Sequence, residues 1–259
     1  MLNHPHLLPA GGAPIQVPVH RAPRKIISWN LLRRSGATVE AVAALIEHEK
    51  PDLLLMQEAT VEITDLQERV GGHYAWAPLP RRIHGLAMWS PTPWLSTPRV
   101  IPIPSGALVD RVCQVLDCGT YGVANVHLSH GQMLNRRQLR RIEQHLPVRA
   151  AVLGDYNLVG PALLPGFRDV GPRHPTHAMV EIVPLRLDRC LVRGLICRHT
   201  AVLPRGASDH RPIVVHLEPS SLPLSRPGIA HLRDRVDLRG MAAAIARRRR
   251  AGAPASPLP

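Results

Sequence analysis

Aromatic side chains are scarce in this chain: one Phe, three Tyr and four Trp make up 3% of its 259 residues. A core built on ring stacking is excluded, so Leu, Val, Ile and Ala must do the packing. The 45% hydrophobic content is enough for a sizeable interior. Cysteine is also sparse. Cys113, Cys118, Cys190 and Cys197 show no C-x-x-C spacing, which argues against a structural zinc site and fits reduced, structural thiols in a cytoplasmic protein. No apolar run reaches the roughly 20 residues of a membrane helix. A basic segment followed by an apolar core is missing from the N-terminus, so no secretory signal is expected. Acidic residues are outnumbered, 19 against 32 Lys and Arg, leaving a formal charge of +13 and a pI of about 11.1. That balance points to an anionic partner such as nucleic acid or a phosphorylated substrate.

What the chain does contain is a succession of short apolar runs. Residues 1–23, rich in Pro, Gly and His and without a period, read as a disordered or loosely attached arm. Residues 25–31 read as a buried strand. The stretch 38–50 carries Val39, Val42, Ala43, Leu45 and Ile46 at helical spacing, and Pro51 stops it. Residues 52–58 form a second strand, so the β-α-β unit predicts neighbouring strands whose polar ends lie side by side. Between 74 and 128, Pro and Gly separate five short strands, 74–79, 85–89, 100–103, 108–116 and 122–128, and the short connections predict antiparallel pairing. A helix over 133–145 would turn Leu134, Leu139 and Ile142 inward and Arg136, Arg137, Arg140 and Arg141 outward. Further strands are expected at 150–153, 186–192, 197–203 and 213–217, with a loop over 161–177. After Glu218 the composition breaks. Residues 219–259 hold eight Arg and two Asp, a net of +6, with a candidate helix over 231–250. The domain reading is therefore an arm (1–23), a catalytic domain (24–218) and a basic tail (219–259). No internal repeat is visible.

Polar islands punctuate the apolar runs: Trp29-Asn30, Gln57-Glu58, Asn125-Val126-His127-Leu128, Gly154-Asp155-Tyr156-Asn157 and Ser208-Asp209-His210, with Asp188 interrupting one more apolar strand. Polar groups at buried strand ends are costly unless partnered. So many of them imply that they partner one another or a metal. Asp155 and Asn157 stand two apart, and on an extended segment that spacing would aim a carboxylate and an amide at one ligand. Gly154 precedes them where the backbone needs freedom.

In this order the islands resemble the endonuclease/exonuclease/phosphatase superfamily, the deoxyribonuclease I-like fold, over about residues 24–218. Arg137-Gln138 and Pro175-Thr176 resemble the family as well. The resemblance implies an α/β (α+β) architecture, a four-layered sandwich of two packed mixed sheets flanked by helices. It also implies phosphoester hydrolysis, which needs an in-line water, neutralised phosphoryl oxygens and help for the leaving oxygen. Glu58 is the candidate Mg²⁺ ligand, Mn²⁺ being a possible substitute, because hard cations prefer carboxylate oxygen. Asn30 would orient that carboxylate or bind through its carbonyl. By resemblance Asp155 would orient or deprotonate the attacking water, Asn157 would bond a phosphoryl oxygen, and His127 would donate to a phosphate oxygen. His210 would contact the scissile phosphate with Asp188 fixing its tautomer, and Asp209 would bind the metal or its water shell. His130, His145, His174 and His177 have no such context and read as surface or loop histidines.

One position departs from the pattern. Many abasic-site endonucleases of the superfamily carry an Asp two residues after the first-strand Asn, where this chain has Leu32, which weakens an abasic-repair reading. Arg33, Arg34, Arg81 and Arg82 are candidates for phosphate contacts at the mouth. The expected function is a nuclease-type phosphodiesterase acting on nucleic acid as a monomer. The rivals are hydrolysis of a phospholipid headgroup, an inositol phosphate or a nucleotide, and a non-catalytic basic module that binds nucleic acid.

Overall fold

The apolar runs assemble into two packed sheets in a computed structural model that describes residues 24–106, 110–179 and 183–221. The expected arm over 1–23, the tail helix over 231–250 and the start of the strand expected from residue 108 lie outside the described residues. In chain order the first elements are β1 (Arg24–Asn30), α1 (Val39–Glu49), β2 (Leu53–Thr60), α2 (Leu66–Val70), β3 (His73–Pro78) and β4 (His84–Ser90). Next come β5 (Arg99–Ile103), β6 (Arg111–Asp117), β7 (Gly122–His127), α3 (Gln132–Glu143) and β8 (Ala150–Asp155). The chain continues through β9 (Arg168–Asp169), β10 (His177–Met179), β11 (Val183–Leu185), β12 (Asp188–Arg193), β13 (Leu195–Val202) and β14 (Ile213–Pro219).

One sheet has the order β13-β14-β1-β2-β4-β3 and the other β5-β6-β7-β8-β12-β9, while β10 and β11 pair separately. Both sheets are mixed. Each contains one parallel pair, β1 with β2 and β7 with β8, joined by the crossover helices α1 and α3 that parallel neighbours require. Alternation along the strands divides the interior into three apolar layers. Ile26, Leu53, Leu55 and Met88 of the first sheet meet Val123, Ala151, Leu153 and Cys190 of the second. Ile27, Trp29, Leu54 and Met56 face the other way, against Val42, Ala43 and Ile46 of α1 and Leu66 of α2. Ala124, Val126 and Val152 pack on Leu139 and Ile142 of α3. The order is thus helix, sheet, sheet, helix. No described helix is long and apolar enough to cross a membrane.

Local chemistry sets the ends of α1. Thr38 caps it, its hydroxyl accepting the Ala41 N–H at 3.4 Å. The helix stops at Glu49, where Lys50 turns left-handed (φ 48) and returns its N–H to Ile46 ahead of Pro51. Residues 61–70 hold a 3₁₀ turn (Val61–Asp65) and α2, which the sequence pattern did not reveal. Their buried anchors, Ile63 and Leu66, are too few to make a period.

A polar brace crosses the apolar layer between the sheets. Asn125 of β7 donates to the carbonyls of Met56 (3.1 Å) and Ala87 (3.0 Å), and its own carbonyl accepts from Gln57 Nε2 (2.7 Å). Gln57 reaches on to Ser28 Oγ at 3.1 Å, and Asn125 also meets Gln114 Oε1 at 3.3 Å. All four side chains are buried.

Candidate active site

The C-terminal ends of the two parallel pairs meet at one edge of the sandwich, and the polar islands cluster there. Register does most of the placing. His127 lies beside Asp155 across the parallel β7–β8 pair, and Asp188 lies opposite Asp155 across the antiparallel β8–β12 pair. Residues in register share a face, so the three side chains form a row. Asn30 arrives from the other sheet. Its Nδ2 donates to Asp155 Oδ2 at 3.0 Å, and its carbonyl accepts the Leu32 N–H at 3.1 Å.

Asp155 is 1% exposed and held on both oxygens. Oδ2 also faces His127 Nε2 at 3.4 Å and His210 Nε2 at 3.8 Å, while Oδ1 accepts the Asn157 N–H at 2.8 Å. Burial raises its pKa, with His210 opposing and Asp188 reinforcing the rise. Gly154 has no substitute here: its φ is +143, and an added Cβ would stand 1.9 Å from the Val126 carbonyl oxygen. The extended backbone expected through 155–157 ends at Asp155. Asn157 is left-handed (φ 47), and the two residues are coupled by the backbone bond to Asp155 rather than by parallel side chains. The Asn157 amide donates to the Leu128 carbonyl at 3.1 Å and retains a second N–H.

His210 is fixed from every side. Its Nδ1 lies 2.8 Å from Asp188 Oδ2, and its carbonyl accepts from Trp29 Nε1 at 3.0 Å. Ser208 Oγ accepts the His210 N–H (3.1 Å) and donates to the Asn30 backbone carbonyl (2.7 Å). Thr176 Oγ1 in turn accepts the N–H groups of Leu187 and Asp188 at 3.1 and 3.0 Å. Burial alone would lower the His210 pKa. The charge and hydrogen bond of Asp188, with Asp155 and Asp209 behind them, outweigh it and push it up to about 10. The ring is therefore an imidazolium at neutral pH. His127 goes the opposite way: burial, then Arg111 and His210, hold it well below 6.5.

Glu58 sits on a bulge of β2 where the pairing with β4 shifts between Gln57 and Ala59, at φ 55. The bulge lets Gln57 enter the brace while Glu58 faces the site. Burial raises its pKa, opposed first by Arg33. Arg33, a candidate for phosphate contacts, donates from Nε to Glu58 Oε2 at 2.9 Å. Arg82 is exposed at the rim close to His84 and Arg111, and the Arg34 side chain lies outside the described residues. Asp209 is partly exposed, with its Oδ2 3.7 Å from His177 Nδ1.

Three residues of this edge escaped the reading of the sequence: Arg111, His84 and His177. Arg111 faces Asp155 and Glu58, whose charges offset the burial that lowers its pKa. Its Nε has no hydrogen-bond partner among the described residues. His84 is driven to about 4 by burial and by Arg33, Arg111 and Arg82, so it is neutral. Both are the first residues of strands, β6 and β4, that run antiparallel to β7 and β2. Their starts therefore meet the ends of the parallel pairs, and polar residues at strand starts were the signal that could have found them. His177, read as a loop histidine, lies half-buried beside His210, the two ring centroids 4.5 Å apart.

Among the described residues, two groups bring three carboxylate or imidazole ligand atoms within 4.8 Å: Asp155 with Asp188 and His210, and His177 with Asp209 and His210. Glu58 belongs to neither. Its carboxylate and the Asn30 carbonyl are oxygen donors, and this fits a hard cation that keeps several waters. A cavity of about 310 Å³ adjoins the site, lined by Thr176, His177, Arg205, Asp209 and Arg211. A larger one, about 450 Å³, opens at the opposite end of β7 around Asp117, Tyr121 and Gly122, and none of the candidate site residues lines it.

The model of the Endonuclease/Exonuclease/phosphatase family matches residues 27–210. The fold is similar to that of an endonuclease/exonuclease/phosphatase from Bacteroides vulgatus, with a TM-score of 0.65 at 15% identity over 77% of this chain and 100% of that one. It is similar to D. rerio TDP2 complexed with a single-strand DNA product, with a TM-score of 0.61 at 15% identity over 75% of this chain and 98% of that one. A mannosyl-6-phosphatase of Bacteroides thetaiotaomicron VPI-5482 gives a TM-score of 0.61 at 17% identity over 75% of this chain and 99% of that one. No curated protein sequence matches the chain.

Proposed function

The chain belongs to the endonuclease/exonuclease/phosphatase family of phosphoester hydrolases, and from that premise we propose that it is a Mg²⁺-dependent, nuclease-type phosphodiesterase. The observation that carries this reading is the pairing, across one buried carboxylate, of Asp155 with the charged His210. Asp155 is a base or water-orienting group held in place by Asn30 and Asn157. The His210 imidazolium, with its Nε2 turned to the site, stabilises the negative charge that grows on the phosphoryl oxygens. Arg111 and the remaining Asn157 N–H add to that stabilisation, and His127, neutral, supports Asp155. A Mg²⁺ ion held by Glu58, Asn30 and, through water, Asp209 would supply charge neutralisation at the phosphate and the leaving oxygen.

A polymeric substrate is favoured by the arginines on both flanks of the site. Arg81 and Arg82 stand on the side of His84, and Arg205 and Arg211 line the cavity beside Asp209. Contacts of this kind follow a phosphate backbone without reading sequence. The DNA product bound to the similar D. rerio TDP2 supports the same class, whereas the mannosyl-6-phosphatase supports a small phosphomonoester.

A substrate panel decides between them: single- and double-stranded DNA, RNA, abasic DNA, nucleotides, sugar phosphates and phospholipids, each with and without chelator. Cleavage of a polynucleotide, lost on chelation and restored by Mg²⁺ or Mn²⁺, is the expected result. Turnover confined to small phosphoesters would overturn the nuclease assignment, and full activity after exhaustive chelation would overturn the metal.

A further inference from the structure

His177 has no part in the reaction described above, yet its backbone and its ring both lie against His210. Its backbone bridges that of His210, and the two imidazoles lie 4.5 Å apart and tilted by 40°. Its Nδ1 is buried, has no hydrogen-bond partner among the described residues and lies 3.7 Å from Asp209 Oδ2. We propose that His177, Asp209 and His210 form a second metal site, one that takes Zn²⁺, and that filling it withdraws His210 from the substrate phosphate.

The donor set selects the ion. Two imidazole nitrogens and one carboxylate oxygen suit Zn²⁺ and related transition ions, whereas Mg²⁺ prefers oxygen alone. The three ligand atoms lie within 4.8 Å of one another. Around a tetrahedral Zn²⁺ they would stand about 3.3 Å apart, as Zn–N and Zn–O bonds of roughly 2 Å require. Small rotations of the half-buried His177 and Asp209 close that gap. His210 is already oriented as a ligand: Nδ1 is bound to Asp188 at 2.8 Å, which fixes the ring and turns Nε2 to the site, where the metal would displace its proton. A carboxylate behind the second nitrogen is the usual support of a metal-bound histidine. Asp188 and Asp155, which favour a positive charge on His210, favour equally a cation at its Nε2. The adjoining cavity of about 310 Å³ leaves room for a water or an anion as the fourth ligand.

Metal binding at the site can be tested without the proposed phosphodiesterase activity, although His210 and Asp209 serve both, whereas the inhibition rests on that activity, because only a His210 that contacts phosphate can be withdrawn from it. Co²⁺ titrated into the metal-free, full-length protein reports the site directly. Visible ligand-field bands of a low-coordinate ion should appear at one equivalent and vanish on adding Zn²⁺. His177→Ala should weaken that binding at least tenfold, and Asp209→Asn, which keeps the side-chain size, should weaken it too. The comparison with wild type separates this site from the other histidines of the chain. In the kinetic arm, Zn²⁺ should inhibit Mg²⁺-supported hydrolysis in the wild type and do so at least tenfold less well in His177→Ala. Bands and affinity unchanged in both variants would overturn the site. Strong Co²⁺ binding with no relief of inhibition in His177→Ala would overturn the withdrawal of His210 alone. If the chain hydrolyses no phosphoester, the spectra still decide the site.

Discussion

Asp155 is organised before any substrate arrives: Asn30 and the Asn157 backbone fix its oxygens, and two histidines of opposite protonation flank it. An enzyme that pre-orients its base this way should lose most of its rate when the charge goes and the shape stays. Asp155→Asn is expected to lower turnover on the order of 10²-fold or more, with the far-ultraviolet circular dichroism of the wild type. The neutral amide relieves a buried charge even as it loses one acceptor, so folding survives. A near-normal rate would remove Asp155 from the chemistry. Asp155 and His127 were legible in the sequence as polar breaks at the end of apolar runs, Asp188 as an interruption of one, and His210 only through its place in the Ser208-Asp209-His210 island. Arg111 and His84 were not, because their place depends on which strands run backwards. His177 was not, because the residue that gives it meaning, His210, arrives from a different element.

The elements are held in register across the sandwich by the Asn125 brace. Gln57, which precedes the bulged Glu58, donates from Nε2 to the Asn125 side-chain carbonyl, so the brace ties the second sheet to the backbone of a candidate metal ligand. Asn125→Leu keeps the volume, removes one of the two bonds of Gln57 Nε2 and takes the Asn125 donor from Gln114 Oε1 and from the Met56 and Ala87 carbonyls in an apolar layer. Each buried polar group left unpaired costs roughly 1–3 kcal/mol, so a loss on the order of 3 kcal/mol is expected. Urea unfolding measures it, and an unchanged midpoint would show that the brace contributes nothing. Alternating and helical patterns located the central strands and α1 and α3, since each buries several side chains at a fixed period. They could not locate the two-residue β9, the short β10–β11 hairpin or the 61–70 helices, which are anchored by one or two residues or by backbone bonds alone.

At the level of the whole molecule, the last bonds of the first sheet run past Glu218. Ser220 donates its N–H to the Gly194 carbonyl at 3.0 Å and accepts from Arg149 at 3.2 Å. A chain ending at Ser221 keeps these bonds and loses most of the basic tail, including Arg247, Arg248, Arg249 and Arg250. It should retain its rate on a small chromogenic phosphodiester and bind a long polynucleotide more weakly, with a shallower dependence on salt. Equal affinity and equal salt slope would rule the tail out as an anchor. The wider consequence lies in who owns the reactive centre. β1 and β2 bring Asn30 and Glu58, while β7, β8 and β12 bring His127, Asp155 and Asp188. The Asn30–Asp155 contact exists only while two separate sheets stay docked within a hydrogen bond's length. Turnover is thereby a tamper seal on assembly. On the proposed function, a molecule whose layers have slid by an ångström would keep its strands and helices but lose the Asn30–Asp155 bond that sets its base, and with it the reaction.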